Sequence, residues 1–221
     1  MLRVSTWFAN YIFTATPKAF PFLSEKVLAI GHGIDAHFSS VPRFKSDSRL
    51  NVISVGRISS RKRVRESITL FAEILKQNSK AYFTWVGEPL TKDDYDYYRE
   101  VLHDIENLDL RGRVKFKGRV FFEEMPKFYA SADLLIHLSE TGSLDKVVLE
   151  AVVAGCPVLS SSSATNEAIQ EAYWGGPIDS KAAIEAVNRA KQGISQDKRQ
   201  NIADSFSIEQ LINKIVDACL K

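Results

Sequence analysis

Hydrophobic and polar positions alternate with two different periods along most of this chain. Short apolar runs that end in glycine, LNVISVG (50–56) and KAYFTWVG (80–87), have the length and the β-branched or aromatic content of buried strands. Each run is followed by a segment whose apolar residues recur every three or four positions, RVRESITLFAEILKQ (63–77) and TKDDYDYYREVLHDIENL (91–108). That spacing predicts two amphipathic helices.

The same alternation continues through the second half of the chain. RVKFKG (113–118) and DLLIHLS (133–139) predict strands, FEEMPKFYASA (122–132) and TNEAIQEA (165–172) predict helices, and TGSLDKVVLEAVVAGCPVLSS (141–161) predicts a helix followed by a strand. Five successive β–α units with strands buried on both faces predict a doubly wound parallel sheet, the Rossmann-like α/β class. Ligands of such sheets bind beyond the carboxyl ends of the strands.

The pattern divides the chain into three regions. Residues 1–40 do not follow the alternation, although KVLAIGHGID (26–35) resembles a strand that leads into a glycine-rich turn. Residues 41–205 contain the predicted sheet and its helices. Residues 206–221 form a last predicted helix.

Composition narrows the class of protein. The 221 residues are 45% hydrophobic and 25% charged, which is typical of a soluble globular protein. The net charge of +2 is too small to indicate nucleic acid as a partner. Cys156 and Cys219 stand apart from any CxxC or Cys/His cluster, so no metal site is predicted. Polar residues interrupt the N-terminal apolar stretch and no apolar run is long enough to cross a membrane, so we expect a cytoplasmic protein.

The turn after the first predicted strand carries a dense basic cluster. VGRISSRKRVRE (55–66) holds five cations: Arg57, Arg61, Lys62, Arg63 and Arg65. A diphosphate at this position would meet both the helix N-terminal amides and these side chains. Solvated surface and a nucleic-acid patch are the alternative interpretations. The segment has neither a GxGxxG nor a P-loop motif.

The predicted helix after residue 142 is apolar on nearly every side and yet contains Glu150. Ser143 is the expected N-cap, Asp145 the expected first-turn acid, and Gly155 with Pro157 the expected end. A carboxylate among apolar neighbours requires a partner. One alternative is an i,i+4 ion pair with Lys146, and the other is a ligand's hydroxyl groups.

Seven motifs in this order resemble the donor-binding half of glycosyltransferase family 4, whose members have the two-domain GT-B fold. They cover nearly all of residues 26–212 and are KVLAIGHGID, VISVGRISSRKR, YFTWVGE, VKFKGRV, MPKFYASADLLIHLS, GSLDKVVLEAVVAGCPVLSS and DSFSIEQL.

The resemblance implies a role for each matching residue. Gly56, Arg57 and Lys62 would grip the donor diphosphate, and Glu150 would bind the ribose hydroxyls. The remaining matches are three residues of the base pocket, Gly118, Arg119 and Val120, and three that touch phosphate and donor sugar, Gly142, Ser143 and Leu144. Arg57 and Lys62 would also be catalytic, because they neutralise the leaving diphosphate, so neither a metal nor a cofactor is expected.

The implied reaction is transfer, with retention, of a hexose-type sugar from a UDP-, GDP- or ADP-sugar to a glycan or lipid-linked acceptor. Polysaccharide or lipopolysaccharide biosynthesis is the expected setting, with peripheral membrane association of the full-length protein and no nucleic-acid partner. Residues 1–40 would be a remnant of an N-terminal acceptor domain and the crossover. The chain alone would therefore bind donor but transfer poorly.

Two departures from the family pattern qualify these expectations. Gly142 stands where the family has an acidic residue, so Glu140 or Asp145 is the candidate substitute, and Arg63 stands where the family has glycine. Two other functions stay open. One is a non-catalytic nucleotide-sugar-binding module or a subunit that needs a partner chain, and the other is a different GT-B enzyme such as a sugar-nucleotide epimerase.

Overall fold

The computed structural model of the protein describes residues 6–22, 24–44, 49–139 and 143–220. Within these ranges the strands form a two-stranded parallel sheet near the N-terminus and a five-stranded parallel sheet. The strands are β1 (Ile12–Thr14), β2 (Val27–Ala29), β3 (Leu50–Val55), β4 (Ala81–Val86), β5 (Val114–Gly118), β6 (Leu134–His137) and β7 (Val158–Ser160).

Helices follow most strands of the larger sheet and complete the chain after β7. They are α1 (Val64–Gln77), α2 (Lys92–Asn107), α3 (Met125–Ser131), α4 (Lys146–Val153), α5 (Ser163–Ala168), α6 (Ser180–Gln192), α7 (Gln196–Ser205) and α8 (Ile208–Cys219). None of these helices combines the length and the apolar character that crossing a bilayer requires.

The larger sheet is doubly wound, as the sequence predicts. Its strand order is β5-β4-β3-β6-β7, so the direction of winding reverses between β3 and β6. Val52 faces a core formed with α1, α2 and α6, whereas the next residue, Ile53, faces a core formed with α3, α4 and α7. A strand places successive side chains on opposite faces. Both faces of the sheet are therefore buried, and the carboxyl ends of all five strands meet at one edge.

The helix termini agree with the sequence at some positions and differ at others. The predicted capping box of α2 is confirmed, because Thr91 Oγ1 accepts from the amide of Asp94 and the Asp94 carboxylate accepts from the amide of Thr91. The predicted start of α4 at Ser143 is wrong. Asp145 is the N-cap residue, with an extended backbone at φ −84° and ψ 139°, and the helix begins at Lys146. Ser143 instead donates to the Asp145 carboxylate, at 3.3 Å.

The backbone of Arg63 adopts a left-handed conformation, with φ 48° and ψ 48°, at the N-cap of α1. This conformation costs a residue with a side chain roughly 1–2 kcal/mol, a penalty that glycine escapes. The Arg63 side chain forms an ion pair with Glu66, at 3.1 Å. Arg63 therefore keeps a local contact at the expense of backbone strain.

We expect Arg63→Gly to be more stable than Arg63→Ala by about 1 kcal/mol, because both lose the ion pair but only glycine relieves the strain. Urea unfolding followed by far-UV circular dichroism measures the difference. Equal free energies of unfolding for the two variants would mean that the left-handed backbone of Arg63 carries no strain.

Candidate functional site

A cavity of about 710 Å³ lies at the carboxyl ends of β3, β4 and β5. Such a volume is large enough for a small organic ligand. Five of the residues predicted from the sequence line it, namely Gly56, Arg57, Arg119, Val120 and Glu150. The rest of its wall comes from the loops after β4 and β5 and from α3. The cavity is beside the point where the winding of the sheet reverses, which is where α/β sheets of this kind bind ligands.

Contact between two glycines holds the turn after β3 in place. Gly56 has φ +147° and Gly87 has φ +134°, values that residues with side chains rarely adopt. A Cβ on Gly87 would lie 2.1 Å from the carbonyl oxygen of Gly56, so the two backbones touch. The indole Nε1 of Trp85 donates to that same oxygen at 2.8 Å. The turn that carries Arg57 is thus positioned by backbone contact and by the hydrogen bond from Trp85.

Arg57 extends from this turn into the wall of the cavity, with 44% of its side chain exposed. Its Nε lies 3.7 Å from Oδ2 of Asp94. That carboxylate is itself fixed by the amides of Leu90 and Thr91, at 3.2 and 3.1 Å. The guanidinium therefore has a rigid anionic neighbour and remains accessible to a second anion.

Lys62 crosses from the turn after β3 to the turn after β6. Its aliphatic carbons pass 3.7–3.8 Å from the point where a side chain on Gly56 would begin. Its ammonium forms an ion pair with the carboxylate of Asp145. Lys62 thus joins the two turns that flank the winding reversal of the sheet.

Of the five cations in the basic cluster, only Arg57 lines the cavity. Arg63 pairs with Glu66, and Arg65 pairs with Asp104 of α2 at 2.5 Å. Arg61 is exposed. Arg63 and Arg65, which have partners on α1 and α2, belong to the surface of these helices. Cations that are close together in the sequence are therefore divided between the cavity and the helix surface.

The turn before α4 is tied to its surroundings by hydrogen bonds. Nε2 of His32 lies 2.6 Å from the carbonyl oxygen of Leu144, and Ser162 Oγ donates to the carbonyl oxygen of Ser143 at 2.8 Å. Leu144 is buried in the core with α3 and α4. Gly142, the third residue predicted here, lies outside the described residues.

Of the two candidates to replace the family's missing acid, Glu140 also lies outside the described residues. The carboxylate of Asp145 is already engaged by three side chains. It pairs with Lys62, lies 3.0 Å from Nε2 of His137, and accepts from Ser143 Oγ at 3.3 Å. Burial alone would raise the pKa of Asp145, but His137 and Lys62 hold it well below its usual range.

Glu150 has a partner that the sequence analysis missed. The phenolic oxygen of Tyr129 donates to Oε2 of Glu150 at 3.1 Å, and Tyr129 is completely buried beside Phe38. Burial raises the pKa of the Glu150 carboxyl, and Tyr129, Lys146 and His37 offset only part of this effect. The predicted alternative, an ion pair with Lys146, is replaced by this hydrogen bond. The helical period of FEEMPKFYASA placed Tyr129 on a buried face, where a phenol normally finds an acceptor.

The loop after β5 forms another part of the cavity wall. Gly118, at φ +74°, ends β5, and its carbonyl oxygen accepts from the amide of Gly87 at 2.9 Å. Arg119 is exposed and Val120 is half-buried. Phe121, which lines the same cavity, is 67% exposed. This part of the wall therefore combines apolar side chains with the charged residues Arg119 and Glu123.

The chain belongs to the group 1 glycosyltransferases. The sequence profile described as "Glycosyl transferases group 1" matches residues 39–207, most of the chain and all of the larger sheet. The predicted resemblance and fold class are therefore confirmed, and the larger sheet has the α/β architecture of GT-B glycosyltransferases.

One of the individual relatives is similar over about half of the chain. The chain is 26% identical over 114 residues to the alpha-monoglucosyldiacylglycerol synthase of Streptococcus pneumoniae, a match that covers 52% of this chain. It spans only 24% of the length of that relative.

Solved structures share the fold at low sequence identity. Anabaena HepE, crystallised with UDP and glucose, superposes with a TM-score of 0.81 at 19% identity, over 99% of this chain and 65% of that one. The C-terminal domain of the group 1 protein LpcC from Francisella tularensis gives a TM-score of 0.59 at 20% identity, over 83% of this chain and 98% of that domain.

Proposed function

We propose that this chain is the donor-binding part of a nucleotide-sugar-dependent glycosyltransferase. The whole protein would transfer a hexose-type sugar, with retention, to a glycan or lipid-linked acceptor. One observation carries the proposal: a single cavity is lined by the carboxylate of Glu150, the guanidinium of Arg57 and the apolar wall at Val120. The carboxylate suits the hydroxyls of a ribose, the guanidinium suits a diphosphate, and the apolar wall suits a flat base.

Each residue would act through ordinary electrostatics and hydrogen bonding. Glu150 would accept hydrogen bonds from the ribose hydroxyls, while Tyr129 keeps its Oε2 in place. Arg57 and Lys62 would bind the diphosphate and stabilise the negative charge that develops as it leaves. Gly56 would let the phosphate approach the backbone closely, because it has no side chain and its φ of +147° suits glycine.

The turn before α4 and the loop after β5 would complete the donor site. Backbone amides at Ser143 and Leu144, with Gly142 before them, would face the phosphate and the donor sugar. Gly118, Arg119 and Val120 would line the base pocket. UDP is the first nucleotide to test, because HepE was crystallised with it.

We propose that the acceptor binds outside this chain. Because the chain spans a fraction of its relatives' length, we place acceptor binding on a further domain or a partner chain. A donor-binding subunit is thus the second candidate function. Cytoplasmic polysaccharide or lipopolysaccharide assembly, with peripheral membrane association, completes the proposal.

The test is a thermal-shift and calorimetric series of the chain with UDP, GDP, ADP and their sugars. A nucleotide at 100 times its Kd should add about 2.7 kcal/mol, or roughly 5–10 °C in Tm. Glu150→Gln and Lys62→Met should each weaken binding by about tenfold or more, since each removes a charged hydrogen-bonding group.

Two surface variants provide matched controls. Glu73→Gln and Lys76→Met alter an exposed ion pair on α1 and should leave binding unchanged. Glu150→Gln should also fold normally. Because burial raises the pKa of Glu150, ionisation of this group destabilises the native state as pH rises, and a neutral glutamine avoids that loss. Equal binding by the site variants and the surface variants would refute the proposed site.

A further inference from the structure

The ion pair between Lys62 and Asp145 places an anion of the protein at the subsite proposed for the donor diphosphate. Asp145 is the N-cap residue of α4, so its carboxylate lies at a helix N-terminus that otherwise favours a phosphate. The same carboxylate is 3.0 Å from Nε2 of His137. That nitrogen is fully buried and has no well-aligned hydrogen-bond partner among the described residues. With Ser143 Oγ, which donates at 3.3 Å, three potential donors and a helix terminus therefore converge on this carboxylate.

The surrounding contacts keep Asp145 in this position. His32 and Ser162 hold the turn through the carbonyl oxygens of Leu144 and Ser143. The two side chains of the pair are only 26% and 22% exposed. Since the pKa of Asp145 is far below its usual range, a fall in pH within the physiological range does not release Lys62. Asp145 therefore stays ionised, and a second anion would compete with it for the ammonium of Lys62.

We propose that the carboxylate of Asp145 competes with the donor diphosphate for Lys62. In the empty site Asp145 forms an ion pair with the Lys62 ammonium, and this pair breaks when the diphosphate binds. The inference rests on the proposed donor site and concerns how that site is regulated. It predicts that Asp145 lowers affinity for the diphosphate group and leaves the affinity for the nucleoside unchanged. The cost of displacing the carboxylate falls on a ligand that reaches Lys62, so it is greatest for a ligand with two phosphates and absent for the nucleoside.

The experiment compares UDP, UMP and uridine binding to the wild-type chain and to Asp145→Asn by isothermal titration calorimetry. Asparagine keeps the shape and the contact with Ser143 but removes the charge. We expect the Kd for UDP to fall by about three- to tenfold, the Kd for UMP to fall less, and the Kd for uridine to stay the same. Asp145→Ser, an uncharged residue that also caps helices, is the second variant in case asparagine impairs folding.

Two controls separate this effect from general electrostatics. Asp179→Asn changes the net charge equally at the N-cap of α6, does not alter a residue that lines the cavity, and should leave all three affinities unchanged. In a Lys62→Met background, Asp145→Asn should bring no gain, because there is no ammonium to release.

The outcomes distinguish the inference from the proposed function. If wild type binds UDP and the uncharged variants bind it equally or more weakly, Asp145 positions Lys62 or is neutral, and the inference is overturned while the donor site stands. If only the uncharged variants bind, the inference is supported in its strongest form. If neither binds any of the three ligands, the donor site and the inference fall together.

Discussion

Gly87→Ala is expected to lower the free energy of unfolding by about 3–6 kcal/mol and to leave little folded protein at 37 °C. The new Cβ would lie 2.1 Å from the carbonyl oxygen and 2.8 Å from the carbonyl carbon of Gly56. Both are backbone atoms, so neither can rotate aside as a side chain would. The substitution also imposes φ +134° on a residue with a Cβ. Since domains of this kind are stable by only about 5–15 kcal/mol, the loss is a large part of the total.

Gly112→Ala is the matched control for this prediction. Gly112 also has a positive φ, +77°, but a Cβ there would meet nothing within 4 Å. Its expected loss is therefore the backbone penalty alone, about 1–2 kcal/mol. Urea unfolding of both variants gives the comparison. Equal losses in the free energy of unfolding would show that the close approach of Gly56 to Gly87 adds no cost to a side chain at Gly87.

Tyr129→Ala is expected to destabilise the protein by about 3–5 kcal/mol and to abolish nucleotide binding. The ring is completely buried, lies 5.9 Å from the ring of Phe38, and packs in the core with α4. Its removal leaves a cavity and takes away the hydrogen bond to Glu150. Tyr95→Ala, on the surface of α2 and 53% exposed, should change stability by no more than about 0.5 kcal/mol.

Tyr129→Phe separates packing from hydrogen bonding at the same position. Phenylalanine retains the ring, so the expected loss falls to about 1–3 kcal/mol and comes from the Glu150 carboxylate losing its donor. The pKa of Glu150 should rise further without that bond. The deficit should accordingly be greatest at neutral pH and shrink as acid protonates Glu150. A deficit that is independent of pH would indicate that the stabilisation lost with the Tyr129 hydroxyl does not depend on the charge of Glu150.

Most of the fold follows from the pattern of apolar residues. Runs such as LNVISVG and the helical spacing of RVRESITLFAEILKQ identify β3 and α1 within a residue or two, because each element buries a regular face. The first residue of α4 was harder to predict from the sequence. Ser143 and Asp145 are both good N-cap residues by type, and the choice between them depends on Lys62, which is 83 positions away from Asp145.

The residues of the candidate site could be predicted from the sequence only where they belong to short motifs. Gly56, Arg57 and Glu150 stand in short motifs, and the structure brings all three to one cavity. The support for these residues was not visible in the sequence. Tyr129 and Trp85 have the composition of ordinary core residues, and their hydrogen bonds reach across 21 and 29 positions. Contacts of that range depend on the packing of the sheet, which local patterns do not encode.

The reversal of winding between β3 and β6 has a consequence for how the chain folds. β3 pairs with β4, the next strand along the chain. β3 also pairs with β6, and the partners Val52 and Leu134 are separated by more than 80 residues. Closing the longer loop costs more chain entropy and slows the pairing. The turn with Arg57 and Lys62 is made by the early half, and the turn with Asp145 belongs to the late half. A partly folded chain would therefore carry the cations of the site before their anion, and nascent protein would be most open to adventitious phosphates at that stage.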